Sequence, residues 1–183
     1  MHDRAQFWSP VPDWTHASLH APGIDVVVVN PAGLWLVSGD TRQHLARFGV
    51  TEVLGPRQAS ASGTYALRIA PDRTLLVAGA SAPASWPASD GGAVTDISDG
   101  MLIFAIRGEG AGELMAQGNE YPFDTATILP HESAMMQFAG FRLAVARRTH
   151  GWRLHIERPC AAALWRWLQA QVEPKYSTGT PDA

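Results

Sequence analysis

VTDISDGMLIFAIRGEGAGELMAQG, Val94 to Gly118, runs through a polar turn, an apolar strand, a glycine turn and a short helix. Asp96-Ile97-Ser98-Asp99-Gly100 is turn chemistry, because Asp and Ser bond nearby backbone groups and Gly tolerates positive φ. Met101 to Ile106 is an unbroken apolar run of strand length, the pattern of a strand covered on both faces. Gly108-Glu109-Gly110 stops it. Helix formers follow from Ala111 to Gln117, with Gly118 placed to end the helix.

The same layout occurs upstream, in Leu34 to Gly49. Gly39 aligns with Gly108, Asp40 with Glu109, Leu45 with Leu114 and Gly49 with Gly118, all at one offset without a gap. A hairpin follows each copy. The first is Tyr65 to Ala78 around Pro71-Asp72, and the second Arg142 to Glu157 around Thr149-His150-Gly151. The expected fold is therefore α+β and pseudo-twofold, with antiparallel-rich sheets packed with helices. Each strand–helix–hairpin half would bury the other's apolar sheet face.

Working outward, Ile24 to Val29 is a β-branched strand and Met135 to Phe138 begins another. In the second hairpin Phe141, Leu143 and Val145 point one way, and Arg142, Ala144 and Ala146 the other. On the return strand Trp152, Leu154 and Ile156 alternate with Arg153, His155 and Glu157. Pro159 opens a helix where its missing N–H costs nothing. Ala161, Leu164, Trp165, Leu168 and Val172 form one apolar stripe along it, and Trp167 lies off that stripe. The expected organisation is an irregular, Trp-bearing arm over 1–23, one domain over 24–173 made of two pseudo-repeats (about 24–79 and 94–173), and a flexible tail over 174–183. The Pro/Ala/Ser/Gly-rich stretch 79–93, with Trp86 as an anchor, joins the repeats. Trp8 and Trp14 each offer about 200 Å² of mostly apolar surface, so the arm folds back on its own domain or docks on another subunit.

Bulk composition narrows the function. The chain has 183 residues, of which 46% are hydrophobic and only 17% charged, with a formal net charge of −3. That balance describes a folded protein with apolar surface to hide, and it argues against a general nucleic-acid binder held by counterion release. Its single cysteine excludes an intrachain disulfide and a cysteine-based zinc site. No signal-peptide pattern opens the sequence and no apolar run is long enough to span a bilayer, so a cytoplasmic protein with no membrane partner is expected.

Candidate chemistry is sparse. Gly108-Glu109-Gly110-Ala111-Gly112 resembles a dinucleotide fingerprint, but Glu113 replaces the final glycine and would set a negative charge near the phosphates. A tight structural turn is the better reading. His16 and His20 lie between Pro12 and Pro22, which disfavours the helix that a metal pair would need. His150 and His155 fall on the turn and outer face of the second hairpin, where solvent or an interface is expected. Cys160 starts the last helix without a base paired to it in sequence. Arg142, Arg147, Arg148, Arg153 and Arg158 are the one concentration of charge. They read as a solvated face, an interface with an acidic partner, or a site for an anionic ligand such as a polyglutamyl tail. No residues assemble an acid, a base and a nucleophile, and no metal ligands gather. The partner-interface candidates are Trp8, Trp14, Arg142, Arg147, Arg148, Arg153 and Trp167.

Several segments fall in one family's order and spacing. They are Leu54-Gly55-Pro56-Arg57, Arg68 to Ala78, Thr95 to Gly100, Ile106-Arg107-Gly108 with Leu114 to Gly118, and Ala162 to Leu168. Over about 30–172 the chain resembles the gamma subunit of heterotetrameric sarcosine oxidase. It departs from that family at Arg73-Thr74, where an apolar or aromatic residue is usual, and at Phe138, where Thr is usual; both fit a divergent branch serving a different secondary amine.

The resemblance implies a shortened form of the folate-binding domain of the glycine-cleavage T-protein. It also implies partnership with alpha, beta and delta subunits that carry NAD and tetrahydrofolate, FAD and FMN, and zinc, while this chain binds no cofactor. Such a complex oxidises sarcosine to glycine, with formaldehyde or methylene-tetrahydrofolate and hydrogen peroxide as the other products. The family offers no catalytic residues to carry over, so a structural role in assembly is implied for this chain. The alternative is a stand-alone folate-binding or folate-dependent protein of T-protein type, for which Asp96, Asp99 and Glu109 are the candidate pterin carboxylates.

Overall fold

A computed structural model of the chain describes residues 11–39, 41–46, 50, 64–78, 92–120 and 128–173. Trp8, Trp86, the Leu54–Arg57 motif, most of the 79–93 connection and the 174–183 tail lie outside the described residues.

Two antiparallel sheets organise the fold. Its strands are β1 (Ser18–Ala21), β2 (Ile24–Val29), β3 (Gly33–Ser38), β4 (Tyr65–Ala70), β5 (Arg73–Ala78), β6 (Ala93–Asp96), β7 (Met101–Arg107), β8 (Ser133–Phe138), β9 (Phe141–Arg148) and β10 (Gly151–Glu157). The helices are α1 (Thr41–Ala46), α2 (Ala111–Gly118) and α3 (Arg158–Val172). One sheet has the order β1-β2-β7-β10-β9-β8, the other β4-β5-β3-β6.

Strand alternation places four layers. On β7, Leu102, Phe104 and Ile106 face α2 and α3, joined there by Leu143, Val145, Trp152, Leu154 and the stripe of α3. Ile103, Ala144 and Ala146 point the other way and meet Leu34, Tyr65, Leu67, Leu75 and Val77 of the second sheet. On that sheet's far side Trp35, Val37, Ala66 and Leu76 pack with Leu45 of α1. The layers are thus helices, six strands, four strands, helix. Each fully buried Leu, Ile or Phe in them stabilises the fold by roughly 1.5–3 kcal/mol through apolar burial alone.

The opening strand of each half crosses to the opposite sheet. β2 pairs with β7, whereas β6 pairs with β3. The path β2-β7-β10-β9 through the large sheet therefore matches β6-β3-β5-β4 through the small one. Gly39 (φ 79°) and Gly108 (φ 100°), aligned from sequence, both take left-handed backbone at the end of a strand.

Two expectations need correction. Residues 18–21 are not irregular: they form an edge strand, with Ser18 opposite Val27 and Ala21 opposite Ile24. The prolines at 12 and 22 flank that strand and leave its ladder intact. Val94 to Asp96, read as part of a polar turn, lies in strand β6 because the backbone of β3 is there to receive it.

Candidate functional site

Two places gather polar or open surface: the layer between the sheets, and the five arginines of the β9–β10 hairpin and α3. Between the sheets, Tyr65 Oη lies 2.8 Å from His155 Nε2, and His155 Nδ1 lies 3.0 Å from the Ala144 carbonyl oxygen. A carbonyl only accepts, so Nδ1 carries the proton, Nε2 accepts, and the Tyr65 hydroxyl donates. Desolvation pushes His155 down to about 4 and Tyr65 up to about 12. His155 is 1% exposed, so the expectation of solvent or an outer interface fails there. The hairpin face that carries it is roofed by the second sheet.

The arginines do not form one cluster. Arg142 is the second residue of β9 and Arg158 the first of α3, at one end of the hairpin; Arg147, Arg148 and Arg153 stand toward the other. Arg147 is on the helix-facing side, where Nη1 donates to the Ile128 carbonyl at 2.8 Å and the guanidinium stacks 5.3 Å from the Trp152 ring centre. Arg148 lies 4.6 Å over the Tyr65 ring. Arg153 donates to the Trp152 carbonyl. Burial lowers both Arg148 and Arg153 below the ordinary guanidinium value, with Tyr65 acting the opposite way. Arg158 Nε donates to the Asp99 carbonyl at 2.7 Å, tying α3 to the turn before β7.

The alternative carboxylates for a pterin stand at opposite ends of β7, Asp96 and Asp99 before it and Glu109 after it. Asp96 Oδ1 accepts from the Ser98 amide at 2.9 Å and its hydroxyl at 2.6 Å. Those two bonds hold the Asp96 carboxyl below its ordinary value. Asp99 precedes β7 and Glu109 follows it, so the seven-residue strand separates them by about 23 Å.

The glycines around Glu109 have a packing role. A Cβ on Gly108 would come within 2.1 Å of the Gly23 carbonyl oxygen, and the Gly110 amide donates to that same oxygen at 3.0 Å. The turn is built around the β1–β2 connection.

Trp14 and Trp167 pack inward. Trp14 lies edge-on to Trp165 and tilted against Phe104, each at 5.8 Å between ring centres. Trp167, off the α3 stripe, packs edge-to-face on Phe138 at 5.3 Å. Both remain partly exposed.

A cleft of about 340 Å³ opens between the sheets at the Arg142 end, lined by Leu36, Ile97, Met101, Met135 and Leu75, with Arg142, His155 and Glu157 as its polar groups. Sequence reasoning missed it, because its walls come from both sheets and from residues far apart in the chain. Among the described residues no group of three or more His, Cys, Asp or Glu is placed to hold a metal ion. No helix among them is long and apolar enough to cross a membrane.

Compared with known proteins, the chain matches no family model. No curated protein matches its sequence. Among solved structures it is similar to a chain of "Heterotetrameric Sarcosine Oxidase from Corynebacterium sp. U-96 in complex with pyrrole 2-carboxylate". The TM-score is 0.72 at 16% identity, over 90% of this chain and 91% of that one. The fold of this chain is therefore that of a chain found in a multi-subunit sarcosine oxidase.

Proposed function

We propose that this chain is the gamma-type subunit of a heterotetrameric sarcosine oxidase, an oxidoreductase acting on CH–NH donors. In this reading its role is assembly and the chemistry belongs to its partners. The observation that carries it is the match over nine-tenths of both chains, which sets this chain beside one of nearly its own length. The family's motif order in the sequence points the same way. The buried Tyr65–His155 pair fits a scaffold role, since both ring nitrogens of His155 are engaged inside the fold.

The reading takes residues 24–173 as one domain of two pseudo-repeats, supported by the matched strand paths and the paired left-handed glycines. It assigns FAD, FMN, NAD, tetrahydrofolate and zinc to the alpha, beta and delta subunits, none to this chain, and places the complex in the cytoplasm. The shortened T-protein fold belongs to the same reading.

Co-expression with the alpha, beta and delta subunits tests it. A stable complex that retains this chain through size exclusion is expected. A monodisperse monomer that ignores all three overturns the proposal. Calorimetric titration with tetrahydrofolate separates the stand-alone folate reading, which requires binding heat from the isolated chain at millimolar ligand.

A further inference from the structure

β9 and β10 run together from the Gly151–Arg148 pair to the His155–Ala144 pair, where their ladder ends. Beyond it β9 stays with β8, Arg142 opposite Gln137, and β10 stays with β7, Glu157 opposite Met101. The hairpin therefore forks, with Arg142 on one prong and Glu157 on the other. Alternation turns both side chains toward the second sheet, on the face of Ala144 and His155. Both are exposed, and both border the cleft of about 340 Å³ between the sheets and an adjoining hollow of about 540 Å³. Among the described residues neither has a hydrogen-bond or ion-pair partner, so the fork holds a cation and an anion that do not satisfy one another.

Behind the fork the layer between the sheets is apolar and incompletely filled. Tyr65 and Leu67 are buried with the small side chains of Ala144 and Ala146 in the middle of that layer. Toward the fork, Leu36, Ile69, Ile97 and Met101 keep part of their surface open and Met135 is 37% exposed, all of them around the cleft. His155 also lines it, but both of its ring nitrogens are already engaged, so the polar groups left to meet a ligand are those of the fork. A concave apolar volume of this size with charged groups at one end is the form of a small-molecule site.

We propose that the cleft binds a free α-amino acid with a large apolar or aromatic side chain. The ligand's side chain enters among Leu36, Ile97, Met101 and Met135 and covers the surface they leave open. Its carboxylate is held by the Arg142 guanidinium, with Arg73 adding positive charge from the rim of the second hollow, and its ammonium meets the Glu157 carboxylate. A ligand with the same body but a single charge answers one prong of the fork and leaves the other unpaired. The inference goes beyond the assembly reading and does not depend on it, because every group it uses lies in this chain.

The test titrates the isotopically labelled full chain with L-phenylalanine, hydrocinnamate and phenethylamine, which share one apolar body and differ only in charge, and reads backbone amide shifts by NMR. Phenylalanine is expected to shift the amides of Ile97, Met101, Ala144 and Glu157, and to bind about tenfold more tightly than either single-charge analogue. Arg142→Gln should weaken phenylalanine and hydrocinnamate by about tenfold and leave phenethylamine unchanged. Glu157→Gln should weaken phenylalanine and phenethylamine and leave hydrocinnamate unchanged. Met135→Trp, at an exposed position, should block all three with the thermal midpoint unchanged. Absence of saturable shifts around the cleft overturns the proposal, as do wild-type affinities within about twofold of one another. Hydrocinnamate binding more tightly than phenylalanine overturns it too, because the site would then take a plain anion, and so do shifts that persist in Met135→Trp. Each of these outcomes leaves the assembly reading to its own co-expression test.

Discussion

The Tyr65 hydroxyl donates to His155 Nε2 across the two sheets, at 2.8 Å and 90 residues apart in sequence. The rings meet edge-on at 5.8 Å, with Arg148 stacked over the Tyr65 face. This is a polar bond in the middle of an otherwise apolar layer, so removing either partner leaves the other desolvated and unsatisfied.

Tyr65→Phe deletes the donor and strands the His155 lone pair. A loss of about 1–3 kcal/mol is expected in urea unfolding. Adding His155→Leu removes the stranded group, so the double variant should lose less than the two single losses summed. A coupling within about 0.3 kcal/mol of zero would show that the bond contributes nothing.

The same pair sets a pH window. His155 is depressed in the fold to about 4 from an unfolded value near 6.5. Between those values the unfolded state binds more protons, so stability is full above pH 6.5 and falls as pH drops toward 4. The loss is on the order of 3 kcal/mol. Tyr65 is raised to about 12, so above pH 10 the unfolded state releases its proton first and stability falls again. Denaturant unfolding between pH 4 and pH 8 should show the acid slope in wild type and a shallower one in His155→Leu; equal slopes would refute the assignment.

Gly108→Ala and Gly140→Ala separate backbone strain from collision. Both glycines have positive φ, at 100° and 81°. A Cβ at Gly140 meets nothing within 4 Å, whereas one at Gly108 meets the Gly23 carbonyl. Gly140→Ala should cost about 1–2 kcal/mol, the left-handed penalty alone. Gly108→Ala must also displace the β1–β2 turn and should cost about 3 kcal/mol or more. Thermal unfolding of the two variants checks the order.

Trp14→Ala tests how much the N-terminal arm contributes to its own domain. Its contacts with Phe104 and Trp165 predict a loss of about 2 kcal/mol in the isolated chain, scaled down from full burial. An unchanged unfolding midpoint would mean that those contacts carry no weight, and would favour a partner as what the arm covers.

Local elements were legible because their signals are local. The run Met101–Ile106, the Pro71-Asp72 and Gly151 turns and the stripe behind Pro159 each follow from residues within a few positions, and the strands and α3 lie where those residues put them. The resemblance to heterotetrameric sarcosine oxidase was read from the spacing of such segments, and the fold is similar to that of a chain of such a complex. The candidate site was legible only in pieces. The arginines were counted together because they are neighbours in sequence, yet eight-residue β9 holds Arg142 and Arg148 toward its two ends.

Alternation in the β9–β10 hairpin established by itself which residues share a face: Arg142 with Ala144 and Ala146, Arg153 with His155. It could not say what lies over that face, and with arginines at its ends the face looked like solvent. The tertiary structure decided this by laying β4, β5 and β3 across its middle, which buries Ala144, Ala146 and His155 and leaves Arg142 at the open rim. The physical reason is that side-chain period is a property of one strand. Burial, a proton's place and a groove between two sheet edges belong to pairings between strands far apart in the chain.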